Sequence, residues 1–338
     1  MKKYLLPQNG NFYKANLHCH STLSDGKLSP EELKERYKNQ GYSVLAYTDH
    51  DLFIPHHELT DEGFLALAGF EAEFYIERGN PNKKTAHICF LAKSRDMEIQ
   101  PCFNKDDLVI GNAPKYIDKI KFNKNEPLFV REYSSDSINA MMKKAREMGF
   151  FVTYNHPTWS QENYEQYSKY EHMHAMEIYN HECQFSGYHS YVPGIYDDML
   201  RLGKKILITS TDDNHNKFSS VSNIIDCFGG FIMIKADKLE YNTIMNAIFD
   251  GNFYSSQGPE IYELYVENNK IHVKCSDAVA ITLNTSRRTA QAVYPEPNDV
   301  INEATFTFKD DDGYIRINIK DKEGKYADTN AYFLSDIK

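Results

Sequence analysis

From residue 12 to about 250, short apolar runs alternate with stretches whose apolar positions recur at helical spacing. That alternation is the pattern of parallel strands joined by crossover helices. It predicts strands at 13–19, 43–48, 65–70, 86–92, 150–155, 175–179, 205–210 and 230–235. The first helix is well marked: Ser29 stands at its N-cap, Pro30 in its first turn, and Glu32 completes a capping box. Leu28 and Leu33 are spaced for a hydrophobic staple, and Gly41 closes the far end. Two further helices are expected over 135–148 and 238–250, ended by Gly149 and Gly251. After Gly258-Pro259 the period changes to two, over 261–266, 270–275, 279–284, 303–309, 314–319 and 330–334. Turns such as Asp312-Gly313 and Glu323-Gly324 separate these runs, as in a small all-β sandwich. The expected organisation is therefore an α/β unit over 1–258 and an all-β unit over 259–338. Residues 93–134 fit neither pattern, being polar, irregular and rich in Lys. A connection of that length inside a domain is expected to be functional or mobile.

Charge narrows the function classes. The chain of 338 residues carries 48 acidic and 38 basic side chains, a net charge of −10. No basic stripe offers itself to a phosphate backbone, so no stable nucleic-acid complex is expected. No apolar run approaches a membrane span, and the first residues lack the apolar stretch of a secretory signal. The six cysteines form no CxxC pair, which suits reduced thiols and a cytoplasmic location. Histidine changes the picture: of 13, 12 lie before residue 216.

Those histidines recur where strands end. In Asn16-Leu17-His18-Cys19-His20, alternation sends His18 and His20 to one face and Cys19 to the other, into the core. The same spacing returns in Asp213-Asn214-His215, after the apolar run 206–208. Between them, Thr48-Asp49-His50 and Gly69-Phe70-Glu71 follow two strands, His87 lies in a third, and Asn155-His156-Pro157 follows a fourth. Imidazoles and carboxylates at successive strand ends are the donors a divalent metal takes, at the end where barrel enzymes place their sites.

This ordered set resembles the polymerase and histidinol phosphatase (PHP) superfamily of metal-dependent hydrolases over roughly residues 12–258. The resemblance implies a distorted seven-stranded (βα)7 TIM-like barrel and nine ligand positions for two or three metals. In this chain they fall on His18, His20, Asp25, His50, Glu71, His87, His156, Asp213 and His215. It assigns one metal to His18, His20, Glu71 and Asp213, a second to Glu71, His87 and His156, and a third to Asp25, His50 and His215. Nitrogen and oxygen donors without a thiolate suit zinc, manganese or iron. The β tail also resembles one carried by bacterial members.

Around these residues a further set is expected to act on substrate. His181, in Glu177-Ile178-Tyr179-Asn180-His181, is the candidate proton donor, and Asp51 a candidate for orienting an imidazole or a water. Glu177, Asn180, His56 and Arg131 are candidates for substrate contact, and Trp159 for stacking or for packing under a loop. The leading expectation is a phosphoesterase acting on a small phosphorylated metabolite through a metal-activated hydroxide. Two alternatives are hydrolysis of an amide, carbamate or ester at the same centre and a non-catalytic regulatory module.

Overall fold

The apolar runs form strands wherever β-branched and aromatic residues can face a helix or a second sheet. In the computed structural model, residues 2–77, 80, 83–217 and 225–337 are described. In chain order the strands are β1 (Lys3–Tyr4), β2 (Asn11–Asn16), β3 (Val44–Tyr47), β4 (Leu65–Tyr75), β5 (Thr85–Ala92), β6 (Phe150–Tyr154), β7 (Ala175–Asn180), β8 (Leu207–Thr211), β9 (Phe231–Ala236) and β10 (Phe253–Ser256). The helices are α1 (Pro30–Lys38), α2 (Ser135–Glu147), α3 (Tyr164–Tyr167), α4 (His181–Phe185), α5 (Pro193–Arg201) and α6 (Tyr241–Phe249). The Ser29–Glu32 capping box is formed on α1, and Leu28 packs beside buried Leu33. The pattern did not announce β10 or α5.

Strands β2 through β8 lie side by side in sequence order, with β9 and β10 continuing beyond β2. The sheet is mixed, which corrects the all-parallel expectation. Strand β5 runs antiparallel to both β4 and β6. The reason is length: the connection from β4 to β5 is too short for the dozen or more residues of a helical crossover. A hairpin is the available solution, and β4 runs on to Tyr75 to form it. Backbone bonds from Asp213 N to His18 O (3.0 Å) and from His20 N to Asn214 O (3.1 Å) join the segment after β8 to the segment after β2. The two ends of the seven-strand run therefore meet where the histidines lie.

The C-terminal strands are β11 (Ile261–Glu267), β12 (Lys270–Ala278), β13 (Ala280–Thr285), β14 (Gln291–Val293), β15 (Ile301–Thr307), β16 (Tyr314–Lys320) and β17 (Tyr326–Thr329). β1, β11, β12 and β15 form a four-stranded sheet, while β14, β13, β16 and β17 extend the long sheet through β10. Alternate residues from both, including Leu264, Val273, Ile281, Leu283 and Ile317, share one apolar core with Leu5 and Leu6.

The 93–134 segment is packed. Phe103, Leu108, Ala113 and Ile120 form a small core with Leu52. Gln100 donates to Asp51 O at 3.0 Å and accepts from Phe53 N at 2.9 Å. Among the described residues, no helix is long and apolar enough to cross a membrane.

Candidate metal centre

Chain direction explains how distant residues converge. His18, His50, His156 and Asp213 lie just beyond the C-terminal ends of β2, β3, β6 and β8. Because β5 is reversed, His87 near its start lies at that same end. Glu71 corrects the expected placement: it lies within the longer β4, opposite Cys89, and bridges to His50.

Glu71 is the hub. Its Oε1 lies 3.2 Å from His18 Nε2, 3.1 Å from His87 Nδ1 and 3.3 Å from His156 Nε2. Its Oε2 lies 3.4 Å from His20 Nε2 and 3.2 Å from His50 Nδ1. Asp213 Oδ1 approaches His18 Nε2 at 3.1 Å and His20 Nε2 at 3.0 Å, while its Oδ2 is 3.6 Å from His156 Nε2. Asp25 Oδ1 is 3.3 Å from His215 Nε2 and 3.8 Å from His50 Nε2. All nine residues singled out by the motifs are thus brought into one connected group. Four sets of potential ligand atoms lie within 4.8 Å of one another: His20, Asp25, His50 and His215; His18, His20 and Asp213; His50, Glu71 and His87; and His18, His156 and Glu177. A further set, His18, Glu71 and Cys89, adds a thiol that the donor list from sequence omitted. Burial raises the pKa of that thiol, which favours its protonated form.

Apart from His156 Nε2 to Glu71 Oε1, these contacts are close without being hydrogen bonds. Glu71 Oε2, Asp213 Oδ1, Asp25 Oδ1, His50 Nδ1, His20 Nδ1 and both ring nitrogens of His87 are buried and have no hydrogen-bond partner. Buried polar atoms are nearly always paired, so a cluster of orphans facing one another needs a cation. Burial presses His18 and His87 down, but the carboxylates around them prevail and hold both well above the usual imidazole value. His20 is pushed up to about 9 against the same burial. Burial opposes ionisation of Glu71 and Asp213, and the imidazoles outweigh it. Only protons on the rings or added cations can balance so many carboxylates, and divalent ions satisfy the donors of several residues at once.

The surrounding chain holds the shape. Asp49 accepts from Ser21 N, Ser21 Oγ, Ser24 N and Ser24 Oγ, folding the turn that carries Asp25. In that turn a Cβ on Gly26 would lie 2.3 Å from His20 O, so no side chain fits. Asn155 Nδ2 donates to Glu71 Oε1 at 2.6 Å. Three residues of the region, Asp51 (φ +59°), His156 (φ +21°) and Asp213 (φ +54°), have positive φ, a strained choice for non-glycine residues that recurs at functional sites.

The expected substrate contacts are engaged with other groups of the protein. His181 is not free to donate: its Nδ1 bonds Tyr179 Oη at 2.7 Å and its Nε2 faces Ile225 O at 3.1 Å. A Cβ on Gly229 would overlap its ring, so glycine is what lets the imidazole dock there. Arg131 is buried, donating to Asp51 Oδ1 (2.6 Å) and Glu73 O (3.1 Å) with Asp107 at 3.1 Å. It straps the 93–134 segment to β4, and Asp51 serves as its counter-ion. His56 pairs with Glu58 at 3.3 Å. Asn180 Nδ2 donates to Glu177 Oε2 and Asp213 Oδ2, and Glu177 accepts from His18 Nδ1 behind the cluster.

A cavity of about 190 Å³ opens onto the group, lined also by Glu73, Ile110, Trp159, Glu182 and Lys217. Trp159 sets its edge against His87 and His156, at 5.1 and 5.2 Å. Lys217 Nζ lies 3.0 Å from Asp25 Oδ2. Of these five, sequence reasoning had named only Trp159. Glu73 had a signal: two residues after Glu71 on a strand, it shares that residue's face. It lies opposite His87, with Oε1 3.2 Å from Nε2.

No family model matches the chain. A 5'-3' exoribonuclease from Haemophilus influenzae is 63% identical over 38 residues, 11% of this chain, and the chain spans only 14% of that relative. Among solved structures, a two-domain protein containing a predicted PHP-like metal-dependent phosphoesterase from Bacteroides vulgatus is similar at 14% identity. The alignment covers 98% of this chain and 97% of that one, with a TM-score of 0.46. A candidate metal-dependent phosphoesterase from Bifidobacterium adolescentis is 16% identical over 63% of this chain and 90% of its own, at a TM-score of 0.37. An amidohydrolase from Chromobacterium violaceum with bound sulfate is 16% identical over 61% and 89%, at 0.35.

Proposed function

We propose that the chain is a PHP-type metal-dependent hydrolase that cleaves a small phosphate ester. The observation that carries this reading is Glu71, a single carboxylate within 3.1–3.4 Å of five imidazoles. In this reading β2–β8 form the distorted (βα)7 barrel, residues 1–258 are the catalytic unit and 259–338 a β unit.

His18, His20, Glu71 and Asp213 would hold one ion, Glu71, His87 and His156 a second, and Asp25, His50 and His215 a third where three are bound. An ion of zinc, manganese or iron held by these residues would polarise an ester and supply a nucleophile from water near neutral pH. The chain's own residues complete the reaction. Lys217, at the mouth, receives an anionic group, and Ile110 and Trp159 wall the cavity beside it. Glu182 takes the proton-donating role expected of His181. Its carboxyl lines the cavity, accepts from Ser186 Oγ at 2.7 Å, and is raised above the usual value by burial and by Asp213. Such a group stays protonated longer as pH rises and can protonate a leaving alkoxide.

The test is a substrate screen over phosphate monoesters, diesters, carboxylic esters and amides, with zinc, manganese or iron. Turnover of a monoester that depends on added ion and falls in Glu71→Gln is expected. Turnover confined to amides or carboxylic esters would replace the phosphate reading with acyl hydrolysis, and no ion-dependent turnover would leave a regulatory module.

A further inference from the structure

We infer that Glu177 is the positioning residue of the centre, fixing which nitrogen of His18 is presented to a metal; this rests on the hydrolase reading above. Glu177 is fully buried on β7 and has no share in the cavity lining. Its Oε2 accepts from His156 N and from Asn180 Nδ2, both at 2.9 Å. Its Oε1 accepts from Thr211 Oγ1 at 2.6 Å and lies 2.8 Å from His18 Nδ1. Every partner of fixed polarity is a donor, so the carboxylate acts as acceptor throughout. A proton must then be held on His18 Nδ1, since a carboxylate facing a bare ring nitrogen would oppose lone pair to lone pair.

The consequence reaches the other edge of the ring. With a proton held on Nδ1, Nε2 is the nitrogen left to give a lone pair to a metal, and it lies 3.2 Å from Glu71 Oε1, 3.1 Å from Asp213 Oδ1 and 3.1 Å from His20 Nε2. A carboxylate holding the far nitrogen of a ligating histidine fixes its tautomer and raises its basicity, and removing it typically costs 10–100-fold in metal affinity. The same carboxylate anchors the backbone of His156, whose φ of +21° is sparsely populated. Glutamine cannot substitute. Its amide NH₂ must face either two donors, His156 N and Asn180 Nδ2, or His18 itself, where it forces the other tautomer.

The experiment uses the full chain in two readouts. In metal-free protein labelled with ¹⁵N-histidine, His18 is expected to keep its Nδ1 proton, alone or beside a second proton on Nε2, and Glu177→Gln is expected to leave Nδ1 bare with the proton on Nε2. Calorimetric titration with zinc alone should then show the tightest site weakened about 10–100-fold in the variant. Thr211→Val removes another donor from the same oxygen and should leave both readouts near wild type. Should Glu177→Gln fail to fold, Glu177→Asp, which withdraws the carboxylate by one methylene, carries the same two expectations. An unchanged tautomer with unchanged zinc affinity overturns the inference, as does an equal loss in Thr211→Val. The tautomer needs no metal, so a wild-type chain that binds no zinc sinks the hydrolase reading while Glu177 is still tested.

Discussion

Two of the clusters of buried charge among the described residues differ in what is left over. At the first, Glu71, Asp213, Asp25 and their histidines crowd within hydrogen-bonding distance, yet several of their atoms have no hydrogen-bond partner. At the second, Arg316 on β16 grips Asp197 of α5 with two parallel bonds of 3.0 Å and reaches Asp328 Oδ1 at 3.0 Å. Asp328 also accepts from Tyr191 Oη at 2.9 Å and from Asn318 Nδ2 at 3.0 Å. No buried polar atom of this second group is unpaired. Both groups are ionic and shielded from water, so burial of charge alone does not separate a site from a clasp. Satisfaction separates these two: the Arg316 group is closed on itself and joins α5 to the C-terminal strands, while the Glu71 group is complete only with cations.

The sharpest way to break the contrast is Glu71→Gln. Removing a charge shared by five imidazoles should release metal and lower turnover by more than ~100-fold, since changes one shell further out already cost 10–100-fold. The unfolding midpoint should move little by comparison. Bound metal, turnover and denaturant midpoint measured on the same sample decide it, and full metal occupancy with normal turnover would show the hub is elsewhere.

Arg316→Ala should do the opposite. Truncating one partner of a buried, hydrogen-bonded ion group leaves its carboxylates uncompensated and typically costs about 3–5 kcal/mol. The loss should appear as a lower urea midpoint, with metal content per folded chain unchanged. Loss of metal in this variant would mean that the clasp and the centre are one cooperative unit.

Stripping divalent ions from the wild type should lower its melting temperature, because a ligand at 100 times its Kd adds about 2.7 kcal/mol to the folded state. The same treatment should shift Arg316→Ala by an equal increment, since distant and independent effects add. Glu71→Gln should be nearly insensitive to it.

The smallest effect tests a histidine that belongs to neither cluster. His174 stacks on Phe151, accepts from Val152 N through Nδ1 at 3.0 Å, and is pushed down to about 3, first by burial and then by Arg146 and Lys93. Its folded pKa lies below the unfolded value near 6.5, so the unfolded chain takes up the proton first. The associated stability is present above pH 6.5 and lost as pH falls toward 3, by at most about 1.4 kcal/mol per pH unit. His174→Asn keeps an acceptor for Val152 N and should flatten that part of the acid limb of a urea-midpoint series; an unchanged slope would exclude His174 as its source.

What could be read from the chain alone was what local chemistry dictates. The Ser29–Glu32 cap and the period-two strands over 261–266, 270–275, 279–284, 303–309 and 314–319 depend on near neighbours and stand close to where the pattern put them. The run expected at 330–334 is extended only at Tyr332–Phe333, and the strands at 291–293 and 326–329 went unannounced. The candidate ligands were legible because HxH, Asp-Asn-His and Asn-His-Pro put donors at strand ends, and strand ends on one side of a sheet converge. The surroundings of the other polar candidates were not legible, because whether a polar side chain reaches a cavity depends on what meets it from elsewhere. Arg131 and His181 look available in sequence, but Asp51 and Asp107 close on one, and Tyr179 and Ile225 on the other. The reversal of β5, which sets Glu73 opposite His87, follows from a short connection and the pairing it permits. Pairing across a sheet joins residues far apart in the chain, and no local period encodes it.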